Sequence, residues 1–451
     1  MTVKTVSKVQ NEPKTVLATK NRNVLSLFSG CGGMDLGFEG GFEVLEESIN
    51  LNVNKHWNIK KVNEKWVKLP ETRFKTVFAN DIRPDAQRAW TRYFGNKGIQ
   101  SEVYHLESIV DVVKAYRETK INPFPDDIEI VTGGFPCQDF SVAGKRKGFA
   151  SDKSHDGKLV EIDEAEIDKP NVENRGQLYM WMREVVEIVK PKVFVAENVK
   201  GLVNLGDVKK IIENDFSNIG DGYIVVPAKV LHAAEFGVPQ SRERVIFYGF
   251  QKGALKEEAI RELQNENISA KYDPYPAKTH CLPTKVPTEN LLPHVSVRSA
   301  LDDLAEPEKS SDLSQQKYSK AKYMGKHCQG QTEVNLDGIG PTIRSEHHGN
   351  IEFRRLSLEK GGKRLDELEK GLEERRLTVR ECARIQTFPD DYEFVWPKKG
   401  EDPGLSASSA YKIIGNAVPP LLAYHIAKRL EENWSLYFET EMEKVDQSGR
   451  V

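Results

Sequence analysis

A single cysteine lies in a setting that suits a nucleophile. Cys137 stands in the stretch EIVTGGFPCQDFS, residues 129–141, just after an apolar run that is typical of a buried strand. A thiol attacks only as the thiolate, and neighbouring positive charge lowers its pKa. A free cysteine is, however, often only a small buried hydrophobe. The other motifs of the chain decide between these two interpretations.

An acid and two arginines follow the same pattern of strand ends. Glu197 comes at the end of another apolar run, in AENV, and the motif QSRERV places Gln240, Arg242 and Arg244 at alternate positions directly before a strand. Alternate residues of a strand share one face, so a carboxylate held near these arginines could hydrogen-bond a ring nitrogen of a substrate. Taken singly, each residue has an ordinary explanation, such as a helix-capping acid or a surface arginine. Together they favour a catalytic site.

A glycine-rich turn indicates a ligand of a different kind. Gly30, Gly32 and Gly33 follow one predicted strand and precede a helix, and Asp81 ends the next strand. Such a turn lets the backbone approach a ligand, and an acid at the next strand end commonly accepts hydrogen bonds from ribose hydroxyls. The sequence contains no GxxxxGK[ST] motif, so it predicts a nucleoside-bearing cofactor rather than a triphosphate.

Short apolar runs separated by amphipathic helical stretches must position these residues. The predicted strands cover 24–28, 75–82, 128–135, 192–199, 223–231 and 244–250. This alternation indicates a parallel sheet covered on both faces by helices. Functional residues of such sheets gather at the carboxyl ends of the strands. The fold class is therefore predicted to be α/β.

The character of the chain changes at about residue 270, where prolines and polar residues mark a boundary. From there to about residue 377, short strands and frequent glycines predict a smaller, irregular domain. The charged block 358–376 is interpreted as a solvated helix or linker, and 408–434 as an apolar helix opened by prolines. Segments 43–74 and 151–174 are interpreted as surface insertions.

Composition limits the alternatives. The 451 residues carry a net charge of −3, which argues weakly against general nucleic-acid binding but allows a locally basic groove. No apolar run is long enough for a membrane span, and the polar N-terminus lacks a signal core. The five cysteines show no CxxC spacing, so we expect no metal site and no disulfide framework, as in a reduced intracellular protein.

Six motifs then carry a resemblance. In chain order, FSGCGGMDLGF, GGFPCQDFS, ENV, QSRERV, RLTVRECARIQTFPDDY and GNAVPP resemble the ordered motifs of DNA cytosine-5 methyltransferases, over Asn23 to about Trp434. The resemblance implies a Rossmann-like sheet of an S-adenosylmethionine-dependent methyltransferase at 23–269. It implies a smaller, irregular target-recognition domain at 270–377, which we call the recognition region. A return to the catalytic domain at 378–437 and tails at 1–22 and 438–451 complete the expected organisation.

The resemblance also implies catalytic roles. Cys137 corresponds to the nucleophile that attacks C6 of a cytosine swung out of the duplex. Glu197 corresponds to the acid that engages N3. Arg244, helped by Arg242 and Gln240, would hold the O2 atom of the base and orient the glutamate. The methyl group would then pass to C5, followed by loss of the C5 proton.

Contacts to cofactor and DNA are implied in the same way. Ser108 stands where the family usually has an aspartate, and Arg344 is the candidate reader of a guanine. The expected cofactor contacts are Phe28, Gly30, Cys31, Gly32, Gly33, Met34, Asp81, Ile82, Ser108, Ile109, Pro136, Leu178, Asn416 and Val418. The expected DNA contacts are Lys145, Arg146, Lys147, Lys326 and Arg344. The wider basic bias of the recognition region comes from Lys317, Lys320, Lys322, Lys326, Arg344, Arg354 and Arg355.

The expected cofactor is thus S-adenosyl-L-methionine, and the expected substrate is double-stranded DNA. The layout is typical of a monomeric cytoplasmic enzyme, encoded by a bacterium or phage, with no membrane partner. A cognate restriction endonuclease would be its functional, not physical, partner. A tRNA cytosine-5 methyltransferase and an inactive DNA-binding regulator remain as alternatives. An oxidoreductase on the same sheet would leave the Pro-Cys-Gln and Gln-x-Arg-x-Arg motifs without a role.

Overall fold

The computed structural model describes residues 20–135, 178–204, 207–345 and 350–439. The strands are β1 Arg22–Leu27, β2 Glu43–Leu45, β3 Lys60–Lys61, β4 Trp66–Lys68, β5 Phe74–Asp81, β6 Tyr104–Leu106, β7 Ile128–Gly133, β8 Val193–Val199, β9 Tyr223–His232, β10 Glu243–Gln251, β11 Phe353–Arg355 and β12 Arg375–Arg376. The α-helices are α1 Gly33–Glu39, α2 Pro84–Asn96, α3 Ile109–Thr119, α4 Leu178–Val189, α5 Val208–Ser217, α6 Glu257–Leu263, α7 Val297–Leu301, α8 Leu313–Gln316, α9 Leu365–Glu369, α10 Val379–Ile385, α11 Ala407–Asn416 and α12 Pro420–Tyr437. None of the helices in these ranges combines the length and the apolar character that crossing a bilayer requires.

Seven strands form the central sheet in the order β6-β5-β1-β7-β8-β10-β9. The first five of these run parallel, as expected, but β10 is antiparallel to both of its neighbours. The expectation of a purely parallel sheet was therefore wrong at this one strand. The reason is the short connection between His232, which ends β9, and Glu243, which begins β10. A parallel pair needs a crossover of a dozen or more residues, whereas a reversal does not.

Helices pack on both faces of the sheet over two apolar clusters. The central strands are buried on both sides, and six of the seven residues of β8 are buried, which explains their largely apolar runs. Helix α1 packs closely on α12 and the residues before it because α1 has glycines at the contact. A Cβ on Gly33 would lie 2.3 Å from the carbonyl oxygen of Val418, and one on Gly37 would lie 2.4 Å from the Cβ of Ala423. The predicted opening of α12 by prolines is confirmed, with Pro420 in its first turn.

The recognition region contains the short helices α7, α8 and α9 and the two-stranded sheet β11-β12. Its charged block 358–376 is largely exposed and contains the short helix α9, as expected of a solvated segment, but Arg375 and Arg376 at its end are buried in β12. Arg375 donates two hydrogen bonds to the carboxylate of Glu381, at 2.8 and 2.9 Å. Arg376 instead donates to backbone carbonyls, among them Gly330 at 2.8 Å. Buried guanidinium groups thus hold this region together.

The insertion 43–74 is also more than a surface excursion. It forms the three-stranded sheet β2-β4-β3, and its residues Trp57, Val67 and Leu69 are buried in the main core. The polar and basic composition of this segment hid the few apolar residues that anchor it. Segment 151–174 lies outside the described residues.

A buried histidine on α12 makes the fold sensitive to acid. The ring of His425 packs 4.8 Å from that of Trp57 and 5.4 Å from that of Phe236. Burial, reinforced by the nearby His280, lowers the pKa of His425 from 6.5 to about 3. The unfolded chain therefore takes up a proton as the pH falls below about 6.5, while the folded chain does not until about pH 3. This group costs the protein stability progressively as the pH falls through that window.

We predict that His425→Gln loses less stability on acidification than the wild type does. Between pH 7 and pH 5 the difference should be about 2 kcal/mol, because only the wild type carries the buried imidazole. Urea unfolding at the two pH values measures it. His56→Gln, which changes an exposed histidine, should behave like the wild type. An equal loss in wild type and His425→Gln would contradict the assignment.

Candidate active site

The reversal of β10 brings two side chains of opposite charge together, those of Glu197 and Arg244. Because β10 is antiparallel, its first residues lie at the carboxyl end of β8, where Arg244 pairs with Val199 and Ile246 pairs with Glu197. The Nε atom of Arg244 lies 2.5 Å from Oε1 of Glu197. Ile246 lies directly opposite Glu197, and Arg244 is two residues from Ile246 on the same strand. The side chains of Arg244 and Glu197 therefore lie on the same face of the sheet. The expected pairing of these two residues is thus present.

The carboxyl group of Glu197 is set up to hold a proton. Glu197 is 8% exposed, and this burial raises its pKa, although the charges of Arg244 and Arg242 partly oppose the shift. Desolvation penalises the charged form of a carboxylate. Glu197 therefore remains protonated at a higher pH than an exposed glutamate does, as a proton donor to a ring nitrogen must.

The chain that leads to Cys137 begins beside this carboxyl group. A Cβ on Gly134 would lie 2.9 Å from Oε2 of Glu197, so only a glycine leaves this carboxylate in place. The Nδ2 atom of Asn198 donates to the carbonyl oxygen of Phe135 at 3.2 Å. Pro136 and Cys137 themselves lie outside the described residues. Sequence reasoning missed the role of Asn198, although its position inside the ENV motif pointed to it.

Gln240 does not reach the face of the site. Its side chain is fully buried: its Oε1 accepts from the backbone N–H of Ile343 at 3.2 Å, and its Nε2 donates to the carbonyl oxygen of Ile385 at 3.3 Å and to the side chain of Gln386. The expectation that Gln240 helps to hold the base does not fit this placement, because its amide is engaged on both sides. Instead, it joins the start of β10 to the recognition region and to α10. Gln386 was not foreseen from the sequence.

Arg242 is placed in the same way. It is 1% exposed and donates to the carbonyl oxygens of Ile343 at 3.0 Å, Gly415 at 2.9 Å and Ala417 at 2.8 Å. The structure therefore does not support direct contact between Arg242 and a base. Its charge still lowers the pKa of Glu197, so it acts on the site through the electric field and by positioning.

A second constellation lies at the ends of β1 and β5. Asp81 accepts a hydrogen bond from the backbone N–H of Gly30 at 2.9 Å, and the hydroxyl of Tyr104 donates to the carbonyl oxygen of Gly30 at 3.0 Å. Gly30 has a φ of +55°, and a Cβ there would face open space. Phe28, just before it, also has a positive φ of 54°, which is uncommon for a bulky residue. The glycine turn is thus held from both sides and open towards a ligand.

The surroundings of this turn fit a nucleoside. Ile82 and Leu106 are apolar but 43% and 39% exposed at the strand ends, where a flat base could cover them. Asp81 is only partly covered and can accept further hydrogen bonds from hydroxyl groups. Ser108 lies at the N-cap of α3 and Asn416 is exposed at the end of α11. The donor set and the open apolar surface match the adenosine part of S-adenosyl-L-methionine.

Comparison with known proteins agrees with this geometry. The profile of the family described as C-5 cytosine-specific DNA methylase matches residues 22–160 and 165–432. The chain belongs to this family. It is thus a DNA (cytosine-5-)-methyltransferase by class, as the ordered motifs predicted.

Relatives and solved structures extend over most of the chain. It is 32% identical to the Type II methyltransferase M.BsuRI of Bacillus subtilis, over 94% of this chain and 82% of the relative. It is 33% identical to the Type II methyltransferase M.BspRI of Lysinibacillus sphaericus, over 91% and 81%. The crystal structure of the S. pombe Dnmt2 methyltransferase covers 92% of this chain and 99% of its own, with a TM-score of 0.50 and 16% identity. That likeness supports the fold alone.

Several positions expected to contact the cofactor are instead packed inside this methylase. Cys31 is 0% exposed, its thiol donates to the carbonyl oxygen of Ile413 at 3.3 Å, and burial raises its pKa. The expectation that Cys31 contacts the cofactor does not fit this placement, because none of its surface is exposed. The other largely buried members are Gly32, Gly33, Met34, Ile109, Leu178 and Val418. These residues are packed in the interior and do not present polar side-chain atoms at the surface.

The expected DNA contacts divide into two groups. Lys326 is exposed, as a phosphate contact must be. Arg344, in contrast, pairs with the buried Glu352 at 2.7 Å and donates to the carbonyl oxygen of Asn350 at 2.9 Å. Its placement contradicts a base-reading role, because the guanidinium is engaged within the protein. Lys145, Arg146 and Lys147 lie outside the described residues.

We predict that Gly134→Ala slows methylation with little loss of stability. The added Cβ would crowd Oε2 of Glu197, and a small misplacement of a reacting group lowers rates on the order of 10- to 100-fold. The turnover rate on duplex DNA, measured with labelled S-adenosylmethionine, tests this. Gly95→Ala adds the same atom where nothing lies within 4 Å and should keep the wild-type rate. An unchanged rate in Gly134→Ala would show that Glu197 has room to move.

Proposed function

We propose that the protein is a sequence-specific DNA cytosine-5 methyltransferase that acts on a cytosine flipped out of the duplex. One observation carries the proposal: a buried carboxyl, Glu197, paired with Arg244 at the exact place where the chain departs towards Cys137. An acid with a raised pKa beside a nucleophile is what addition to a pyrimidine ring requires. The family assignment supports the same reaction.

The proposed reaction begins with addition to the ring. The thiolate of Cys137 forms a bond to C6 while Glu197 gives its proton to N3. The electrons of the C5–C6 double bond move to C4–C5 and those of the N3–C4 double bond take up the proton, which leaves an enamine whose nucleophilic carbon is C5. Arg244 keeps the carboxyl group aimed at the ring. S-adenosyl-L-methionine would supply an electrophilic methyl group, which the enamine carbon C5 can accept. Transfer of the C5 proton to water then restores the C5–C6 double bond and expels the thiolate, and the carboxylate of Glu197 recovers its proton from N3.

The cofactor would be held at the ends of β1 and β5. Asp81 would accept hydrogen bonds from the ribose hydroxyls, and Phe28 and Ile82 would cover the faces of the adenine. Gly30 leaves space for close approach. Asn416 and Ser108 would contribute polar atoms at the rim. These residues would hold the cofactor, whose methyl group is the one that C5 accepts.

The DNA would lie between the catalytic sheet and the recognition region. A stacked cytosine cannot reach Cys137, so the base must leave the helix at a cost of a few kcal/mol. Exposed lysines of the recognition region, Lys317, Lys320, Lys322 and Lys326, would bind phosphates along the duplex. The relatives named Type II methyltransferases support a role as the modification enzyme of a restriction–modification system, whose cognate endonuclease would recognise the same sequence.

We predict that Cys137 forms a covalent complex with DNA that carries 5-fluorocytosine at the target. Fluorine cannot leave C5 as a proton does, so the adduct cannot resolve after methyl transfer. The complex should require S-adenosylmethionine and survive denaturing electrophoresis. Duplex DNA should give the complex, whereas tRNA with the same substitution should not.

Two variants control this trapping experiment. Cys137→Ser should form no complex, because a serine hydroxyl is hardly ionised at neutral pH. Cys328→Ser, which changes the most exposed of the four described cysteines, should trap normally. A complex in Cys137→Ser would refute the mechanism, and trapping on tRNA alone would refute the substrate.

We predict that Asp81→Ala weakens the binding of S-adenosylmethionine by roughly 1–3 kcal/mol, the usual cost of leaving a polar partner unpaired. Isothermal calorimetry of the protein without DNA measures this. Asp85→Ala removes the partner of Arg83 but not that of Gly30, so its affinity should match the wild type. If Asp81→Ala binds S-adenosylmethionine as tightly as the wild type does, Asp81 does not hold the ribose.

A further inference from the structure

An aromatic side chain of the insertion 43–74 anchors one side of it to α12. The ring of Trp57 packs 4.9 Å from Tyr424 and 4.8 Å from His425 on α12, and its Nε1 donates to Glu432 at 3.2 Å. Trp57 is buried in the main core. One side of the insertion is therefore fixed to the same helix that packs on α1.

A second side of the insertion holds the chain that enters the recognition region. The buried Asn50 donates through Nδ2 to the carbonyl oxygens of Thr279 and Asn290, each at 2.9 Å. His280, also buried, lies with Nε2 2.9 Å from the carbonyl oxygen of Glu47. A buried polar group without a hydrogen-bond partner destabilises the folded protein. These contacts therefore fix where segment 279–290 runs against the insertion.

A third set of contacts reaches the junction between the recognition region and α10. Lys65 pairs with Asp302 and, at 2.8 Å, with Asp303, the two residues that follow α7. Asp303 also pairs with Arg384 of α10 at 2.6 Å. The guanidinium of Arg384 lies 4.9 Å from the centre of the Trp66 ring. Lys65 and Trp66 thus contact both partners of one ion pair, in which Arg384 is buried and Asp303 is partly exposed.

This junction is directly connected to the active site. Arg384 stands two positions before Gln386, whose side chain accepts from Gln240 and donates to the carbonyl oxygen of Ala417 at 2.7 Å. Gln240 in turn precedes Arg242 and Arg244 at the start of β10. A shift of α10 would therefore move the elements that hold Arg244 beside Glu197 and those that hold the recognition region.

We infer that the insertion 43–74 sets the position of the recognition region relative to the catalytic sheet, with Lys65 and Trp66 as its positioning residues. The inference rests on the proposed function, because the ligand that must fit between the two parts is DNA. Its consequence is selective. Loss of the Lys65 contacts should raise the KM for DNA. The affinity for S-adenosylmethionine, whose proposed site is at the ends of β1 and β5, should stay unchanged.

A charge swap tests the inference. Lys65→Glu places like charges opposite Asp302 and Asp303 and should raise the KM for DNA about tenfold, with the affinity for S-adenosylmethionine and kcat within about twofold. The double variant Lys65→Glu/Asp302→Lys restores opposite charges and should recover most of the loss. Trp66→Leu should act in the same direction as Lys65→Glu, and Lys65→Arg should resemble the wild type.

Lys60→Glu is the matched control. Lys60 lies on β3 of the same small sheet, is exposed and forms no ion pair with any residue in the described ranges. The same charge change there should leave the KM for DNA unaltered. An equal increase in both variants would mean that only positive charge near the DNA matters, which overturns the inference. A parallel fall of kcat and of both affinities in Lys65→Glu would indicate general destabilisation and also overturns it.

Hydrogen exchange separates this inference from the proposed function. Backbone amides of α7 and α10 should exchange faster in Lys65→Glu than in the wild type and return towards wild-type rates in the charge swap, while α2 should be unaffected. This readout needs no DNA. If the wild type neither binds nor methylates DNA, the proposed function fails, and exchange still decides whether the insertion holds the junction. Unchanged exchange in α7 and α10 would refute the positioning role.

Discussion

The burial of one carboxyl group constrains much of this structure. Glu197 lies at the end of β8 with little access to water, where an unpaired charge would be costly. Arg244 reduces that cost without abolishing it, so the pKa of Glu197 remains raised. The pair can form only because β10 runs against β8 and begins where β8 ends. If β10 were parallel to β8, its first residues would lie at the amino-terminal end of β8, far from Glu197.

The same strand start joins chemistry to recognition. Gln240 and Arg242 use their side chains to hold Ile343 of the recognition region and the segment after α11. Gln240 and Arg242, which were expected to help hold a base, thus support Arg244, which lies beside Glu197. The insertion adds a second connection between the same two parts. One continuous junction of hydrogen bonds therefore links the strand that carries Arg244 to the recognition region and to α10.

Charge in the recognition region is divided by side-chain type. Arginines such as Arg355 and Arg375 are buried and paired with Glu306, Glu367 and Glu381. The lysines between residues 317 and 326 stay exposed. A planar guanidinium can satisfy several acceptors inside a protein, whereas a lysine head prefers water. This division explains how a chain with a net charge of −3 can still expose a cluster of lysines, and why counting basic residues overstates the number that are exposed.

The sequence by itself determined the α/β class, the strand-end positions of Glu197 and Asp81, the glycine turn and the ordered motifs, because apolar periodicity and local turn chemistry are written in neighbouring residues. It also placed Arg242, Gln240 and Arg344 among the contacting residues, since spacing cannot tell an exposed side chain from one that is engaged in the interior. Tertiary structure decided those cases, together with the reversal of β10 and the anchoring of the insertion 43–74. Arg242, Gln240 and the insertion depend on partners more than 100 residues away, such as Ile343 for Arg242 or Arg384 for Trp66. Contacts between such distant residues exist only once the chain has folded.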